Sequence, residues 1–266
     1  MTKEVTVKSW QELMEALYED DLNPEIKRHR NGLVYRGLQS ADFELTTSLQ
    51  RHKSETLEKH LLRNFQKYAQ LPNPPSSDWL WLALAQHHGL PTRLLDWSYS
   101  PLIALHFATA DYSQFDTDCA VWAVNFWELQ DYMPAVVKDE MLREGNSILT
   151  TEILERMSAS TDKYYDLSDE AFLSFFEPPS LDGRIINQYA VFSFMSDPSV
   201  SVESWLRSVP TESKKIIIPK HLLWMIRDRL DKSNITERML FPGLDGLAQW
   251  LKRYYYDASQ EGIASD

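Results

Sequence analysis

Apolar and polar positions along this chain switch between two periods, and the switches mark out its elements. Ser9 precedes an amphipathic run through residue 19, and Glu12 lies at capping-box spacing, so a helix is expected over 9–19. Residues 33–37, LVYRG, read as a short strand closed by a glycine. Residues 55–70 put Leu57, Leu61, Phe65 and Tyr68 on one helical face. A loop with three prolines at 71–78 leads into a helix over 79–88, apolar nearly all round and therefore expected to be buried. Gly89 stands where a left-handed residue ends a helix, with Pro91 just beyond.

Residues 92–97 alternate as a strand, and Ser100-Pro101 opens another helix, serine as cap and proline in the first turn. The continuous apolar run at 119–127 is expected to be a buried strand. Between 131 and 182 only helical pieces at 138–142 and 151–157 stand out. Residues 184–194 and 214–219 read as strands, 221–230 as a helix, and a last helix follows Pro242-Gly243. There is no repeat and no low-complexity tract or linker, so one α+β domain is expected.

Composition narrows what such a domain does. At 266 residues the chain can bury a sizeable core, and nine tryptophans make an aromatic-rich one the expectation. A net charge of -12 argues against a nucleic-acid partner held through its phosphate backbone, while leaving room for a local basic pocket. Cys119, the one cysteine, excludes an intramolecular disulfide and a cysteine-cluster zinc site, and suits a reducing compartment. The first ten residues lack a signal pattern and no apolar run approaches a membrane span. A cytoplasmic protein with no membrane partner is the expectation.

Chemistry concentrates at 79–111, where two adjacent histidines, Arg93, Asp96, Ser98 and Ser100 sit in an otherwise apolar setting. Buried polar groups need partners, so each residue has a structural and a functional reading. His87 and His88 are about 100° apart on a helix and cannot easily chelate one metal together. They either end the helix or serve a site, and no metal is expected. Arg93 and Asp96 form a structural ion pair or belong to a site. Arg36, at a strand end before Gly37, can aim a five-donor fork at a phosphate or carboxylate where the glycine lets a ligand approach, or make a surface pair. Ser100 has a capping role available, and no GxSxG frames either serine as a nucleophile. Arg184 and Gln188 are expected on one side of a strand. Neither GxGxxG nor a P-loop is present.

Four segments together, YRG at 35–37, QHHGLPTRLLDWSYSPLIALHFA at 86–108, RIINQYAVF at 184–192 and LFPGLDGLA at 240–248, resemble the bacterial FRG domain family. The resemblance divides the chain into a helical extension at 1–29, an FRG domain at 30–250, and a helix end and tail at 251–266. Tyr35 stands in place of the signature phenylalanine, and Tyr189-Ala190 depart from the usual end of the third motif, which would narrow the space beside Gln188. The order of strand arginine, Ser-x-Ser before a helix and a polar residue late in the chain is similar to ADP-ribosyltransferases. That likeness implies a mixed, mainly antiparallel sheet, whole or split, flanked by helices. It also implies NAD as substrate, with Arg36, His88, Ser100 and Gln188 in catalytic places and Arg36, Gly37, Arg93, Asp96, Ser98 and Ser100 holding the nucleotide. Gln188 lacks the charge of the glutamate expected at its place, and Glu177 is a candidate substitute. The implied activity is an ADP-ribosyltransferase or NAD glycohydrolase with a possible protein acceptor, acting in bacterial stress or phage defence. The alternative is a non-catalytic nucleotide- or protein-binding module.

Overall fold

The computed structural model describes residues 2–19, 22–23, 26–53, 55–158, 160–180 and 182–257; the expected tail beyond 257 lies outside these. In chain order the strands are β1 (Lys3–Thr6), β2 (Leu22–Asn23), β3 (Arg28–His29), β4 (Leu33–Leu38), β5 (Leu95–Ser98), β6 (Cys119–Asn125), β7 (Leu149–Thr150), β8 (Leu173–Glu177), β9 (Ala190–Met195) and β10 (Ser213–Ile218). The second and third form a small antiparallel pair of their own. The other eight form one sheet in the order β1-β10-β6-β4-β5-β9-β8-β7, antiparallel except for the pairs β1–β10 and β7–β8 at its two edges. An α+β fold around a mainly antiparallel mixed sheet is therefore what the chain adopts.

The middle of the sheet is uneven. β4 pairs with β6 along its whole length, Leu33 opposite Asn125 through Leu38 opposite Ala120. β5 pairs with β9 at four positions, from Leu95 opposite Ser193 to Ser98 opposite Ala190. Between β4 and β5 a single pairing, Tyr35 with Ser98, joins the two ladders. On the Arg36 side of that pairing the neighbouring strands part.

Alternation assigns each strand's side chains to opposite cores. Val34 and Leu38 of β4, Leu95 and Trp97 of β5, and Trp122 and Val124 of β6 share one core beneath the helix Val202–Ser208. On the opposite face Tyr35, Val121 and Ala123 pack with the helices Trp10–Tyr18, Pro101–Ala108 and Leu223–Lys232. A third cluster gathers the helix Asp78–His87 around Trp79, which is fully buried and donates its indole N–H to the Ser158 carbonyl at 3.0 Å. β6 faces two of these cores, which explains its unbroken apolar run.

The N-terminal segment contributes more than the expected helix, because β1 extends the sheet by pairing with β10. Ser9 caps its helix by accepting from Glu12 N, while the Glu12 carboxylate accepts from Lys8 N, one residue earlier than a capping box requires. The helix expected at 55–70 narrows to Glu58–Tyr68 and turns a different face inward. Glu58 and Leu62 are buried, whereas Leu57 and Tyr68 are exposed, because Glu58 has an arginine partner inside the fold. The strand expected at 92–97 begins only at Leu95, since the preceding residues turn after a helix end in which Gly89 adopts φ +80°. The run at 119–127 leaves the sheet after Asn125, whose side chain caps the short helix Phe126–Leu129. The region 131–182 contains β7, β8 and the helices Ala135–Glu144, Thr151–Met157 and Thr161–Tyr165. β8 lacks the apolar–polar pattern of a half-exposed strand because both its faces are buried: Leu173 and Phe175 enter one core, Phe172 just before the strand and Phe176 the other.

Candidate functional site

Where β4 and β5 part, a cleft of about 660 Å³ opens, lined among others by Arg36, Gly37, Asp96, Ser98, Arg184 and Gln188. Arg36 spans the gap. It shares its sheet face with Val34 and Leu38, and its Nη1 donates to the Asp96 carbonyl of β5 at 2.6 Å. The Asp96 carboxylate lies 3.9 Å from the same nitrogen, and the Arg36 Nε is buried without a hydrogen-bond partner. Burial lowers the Arg36 pKa, Asp96 opposes that shift, and the nearby Arg51 adds to it. A guanidinium in this position is strongly placed and weakly neutralised.

Asp96 is fixed from behind. Its Oδ2 accepts from Gln86 Nε2 at 2.8 Å, and Gln86 in turn accepts from the Thr92 hydroxyl. Its side chain is 55% exposed, so a carboxylate face stays open to the cleft. Ser98 is different: 3% exposed, it donates to the Gln188 carbonyl at 2.8 Å and accepts from Ser100 N at 3.0 Å. Its hydroxyl therefore pins the end of β5 to the turn before β9.

The residues expected to serve the site separate into two groups. Arg36, Gly37, Asp96, Ser98 and Gln188 line the cleft; His88, Arg93 and Ser100 are not among its lining residues. His88 ends the helix Asp78–His87 and is exposed, edge-on to His87 at 5.1 Å. Arg93 is buried against Glu58, donating from Nε to Oε2 at 2.6 Å while its backbone N–H donates to Oε1 at 3.1 Å. The expected ion pair between Arg93 and Asp96 is thus corrected, each having a different partner. Ser100 precedes the helix Pro101–Ala108, yet its side chain makes no capping bond. Gly37 is also required by the helix: a Cβ there would lie 2.0 Å from the Ala104 carbonyl and 2.5 Å from Ala108 N.

Arg184 and Gln188 reach the cleft by another route than a strand. Asp182 caps a short helix, Gly183–Asn187, that carries Arg184, and Gln188 is its C-cap. This helix is fastened by the C-terminal segment. Asn187 Nδ2 donates to the Met239 carbonyl at 2.7 Å, Gln188 Nε2 to the Leu240 carbonyl at 3.1 Å, and the Phe241 ring lies 4.9 Å from the Arg184 guanidinium. A buried network holds that segment in turn, with Glu237 accepting from both Arg227 and Arg253 at 2.6 Å. Burial favours protonation of Glu237, but Arg253 and Arg227 overcome it and hold the pKa at about 2. Tyr189, at φ +48° and 60% exposed, turns onto Tyr99 at 5.0 Å rather than into the cleft. Glu177 accepts from the Tyr99 hydroxyl at 3.0 Å and does not line the cleft.

Other cleft residues were not singled out in the sequence. The loop after β4 brings Gln39, Asp42, Phe43 and Glu44 to the rim, and Arg51 follows on the short helix Ser48–Arg51. One signal was available: Thr47 and Gln50 form a complete capping box, which locates that helix and its terminal arginine. Among the described residues no group of three or more histidine, cysteine, aspartate or glutamate side chains could hold a metal, and no helix is long and apolar enough to cross a membrane.

Residues 31–117 match the FRG domain. The FRG segment contains β4, β5, the helix between Pro101 and Ala108, and the cleft residues Arg36, Arg51, Asp96 and Ser98. Arg184 and Gln188 come from beyond it. Neither the curated proteins nor the solved structures give a match to this chain.

Proposed function

We propose that the cleft between β4 and β5 binds a phosphorylated nucleotide, with NAD as the ligand that the ADP-ribosyltransferase likeness selects. The carrying observation is Arg36, held across the gap by a neutral carbonyl with its Nε unpartnered. Such a fork suits a phosphate oxygen in a partly desolvated site. In this reading Arg36 holds a phosphate, Asp96 keeps Arg36 oriented and accepts from a sugar hydroxyl, and Gln188 faces the far end of the ligand. The implied reaction breaks the bond between ribose C1′ and nicotinamide. The electron pair leaves with nicotinamide, and water or an acceptor adds at C1′ and loses a proton.

His88, Arg93 and Ser100 act in this reading through the scaffold, since none of them lines the cleft. A carboxylate for the developing positive charge comes from Asp42, Glu44 or Asp96, each of which does line it. Turnover of NAD would suit a part in bacterial stress or phage defence.

A second reading, a module that binds a nucleotide or protein without turnover, is favoured by the state of the two central polar groups. The Ser98 hydroxyl is fully engaged, and the Gln188 amide is neutral and tied to Leu240. Incubating the protein with NAD and measuring released nicotinamide separates the two. Release that disappears in Arg36→Ala supports the enzyme; saturable NAD binding without release supports the module; no binding at all removes both nucleotide readings.

A further inference from the structure

Three arginines line the cleft, and all three are held in the same way. Arg36 donates from Nη1 to the Asp96 carbonyl at 2.6 Å, Arg51 from Nη1 to the Thr46 carbonyl at 2.7 Å, and Arg184 from Nη1 to the His87 carbonyl at 3.3 Å. A carbonyl anchor orients a guanidinium without cancelling its charge. Arginines in the interior are built differently: Arg93, Arg227 and Arg253 each pair with a carboxylate at salt-bridge distance. Among the described residues Arg51 and Arg184 have no such partner, and Arg36 has Asp96 only at 3.9 Å.

The segments that carry Arg51 and Arg184 are themselves tied to the fold. The helix carrying Arg51 has its capping box at Thr47 and Gln50, and Gln50 also donates to the Pro198 and Val200 carbonyls at 2.9 and 3.1 Å. Arg184 is held by the Asp182 cap and the Phe241 ring. Asp42, Glu44 and Asp96 line the same cleft, but among the described residues none of them closes on Arg51 or Arg184 at salt-bridge distance, so neither guanidinium is neutralised by a close carboxylate. Repulsion from Arg51 is felt at Arg36, whose positive charge it disfavours. Three forks on three separate segments line a cleft of about 660 Å³, far more room than one phosphoryl group fills, so they can engage two linked groups.

From this arrangement we propose that the cleft recognises a diphosphate, with Arg51 and Arg184 joining Arg36 to clasp two linked phosphoryl groups. Asp42 and Glu44, on the loop after β4, supply acceptors for sugar hydroxyls, so the class of ligand is a ribosyl diphosphate rather than a mononucleotide. This rests on the nucleotide reading above and adds to it the two arginines that set the choice.

The test is calorimetric titration of the full chain with ADP-ribose, AMP and inorganic pyrophosphate at one ionic strength. ADP-ribose should bind at least about tenfold more tightly than AMP, and Arg51→Ala or Arg184→Ala should each weaken ADP-ribose by about tenfold or more while changing AMP little. Arg51→Lys, which keeps the charge but not the fork, should fall between the wild type and Arg51→Ala, and unchanged melting temperatures confirm that the variants fold. Equal binding of ADP-ribose and AMP, unaffected by either alanine variant, overturns the diphosphate inference and leaves the nucleotide reading standing. Binding of pyrophosphate but of neither nucleotide overturns the nucleotide reading and upholds the diphosphate site. If none of the three binds, both fall.

Discussion

Arg36 on β4 donates to the main-chain carbonyl of Asp96 on β5 at 2.6 Å, one step past the only position at which those strands pair, Tyr35 with Ser98. One side chain thus replaces the ladder bonds that the divergence removes. Arg36→Ala should cost about 1.5–3 kcal/mol of stability, the worth of a hydrogen bond to a charged group. It should weaken nucleotide binding by more than about tenfold. Chemical denaturation and titration on the same preparation check both; a large loss of stability with unchanged binding would make Arg36 a structural brace alone.

The buried pair of Arg93 and Glu58 is a different kind of arginine contact. Glu58→Ala should destabilise the protein by about 3–5 kcal/mol, because it strands a guanidinium with 7% side-chain exposure. Replacing both residues, Glu58→Ala with Arg93→Met, should recover much of the loss. A double variant no more stable than Glu58→Ala alone would contradict this account of the pair.

Gly37→Ala tests how closely the helix Pro101–Ala108 lies on β4. With the Ala104 carbonyl 2.0 Å from the position of an added Cβ, the helix must move outward. Overpacking of this kind costs about 1–3 kcal/mol or more. A melting temperature equal to the wild type would mean that the contact yields freely.

Acid should loosen the molecule in two stages. Burial, reinforced by Arg227, holds the His106 pKa at about 3 against an ordinary 6.5, so the unfolded chain takes up a proton that the folded one refuses. Stability is therefore highest above 6.5 and falls as pH drops toward 3. Glu237, at about 2 against 4.5, adds a second loss below 4.5. Each group contributes a slope of up to about 1.4 kcal/mol per pH unit within its window. His106→Gln should flatten the profile between 4.5 and 6.5 and leave the lower stage; an unaltered profile would assign the acid sensitivity elsewhere.

The α+β class and most elements were legible because patterns such as the apolar run of β6 and the stop at Gly89 are local. What the sequence could not convey was pairing at a distance. Arg93 beside Asp96 in sequence reads as an ion pair, yet its partner is Glu58, on a helix whose periodicity suggests a different buried face. Ser100 carries the right residue type for a cap, but the backbone places the Ser98 hydroxyl on its N–H instead. Arg36 was legible as a candidate from its place at a strand end before Gly37, whereas Gln188 lines the cleft from a helix end and not from the expected strand. Arg51 was not legible, because its position depends on how a loop folds back over the sheet.

The FRG segment ends at residue 117, and the wall bearing Arg184 and Gln188 is supplied by chain that follows, steadied by carbonyls at 239 and 240. The two walls are nonetheless stitched together, Ser98 to the Gln188 carbonyl at 2.8 Å and Arg184 to the His87 carbonyl at 3.3 Å. A displacement of either wall is therefore transmitted to the other through main-chain carbonyls, and the cleft widens or narrows as a unit.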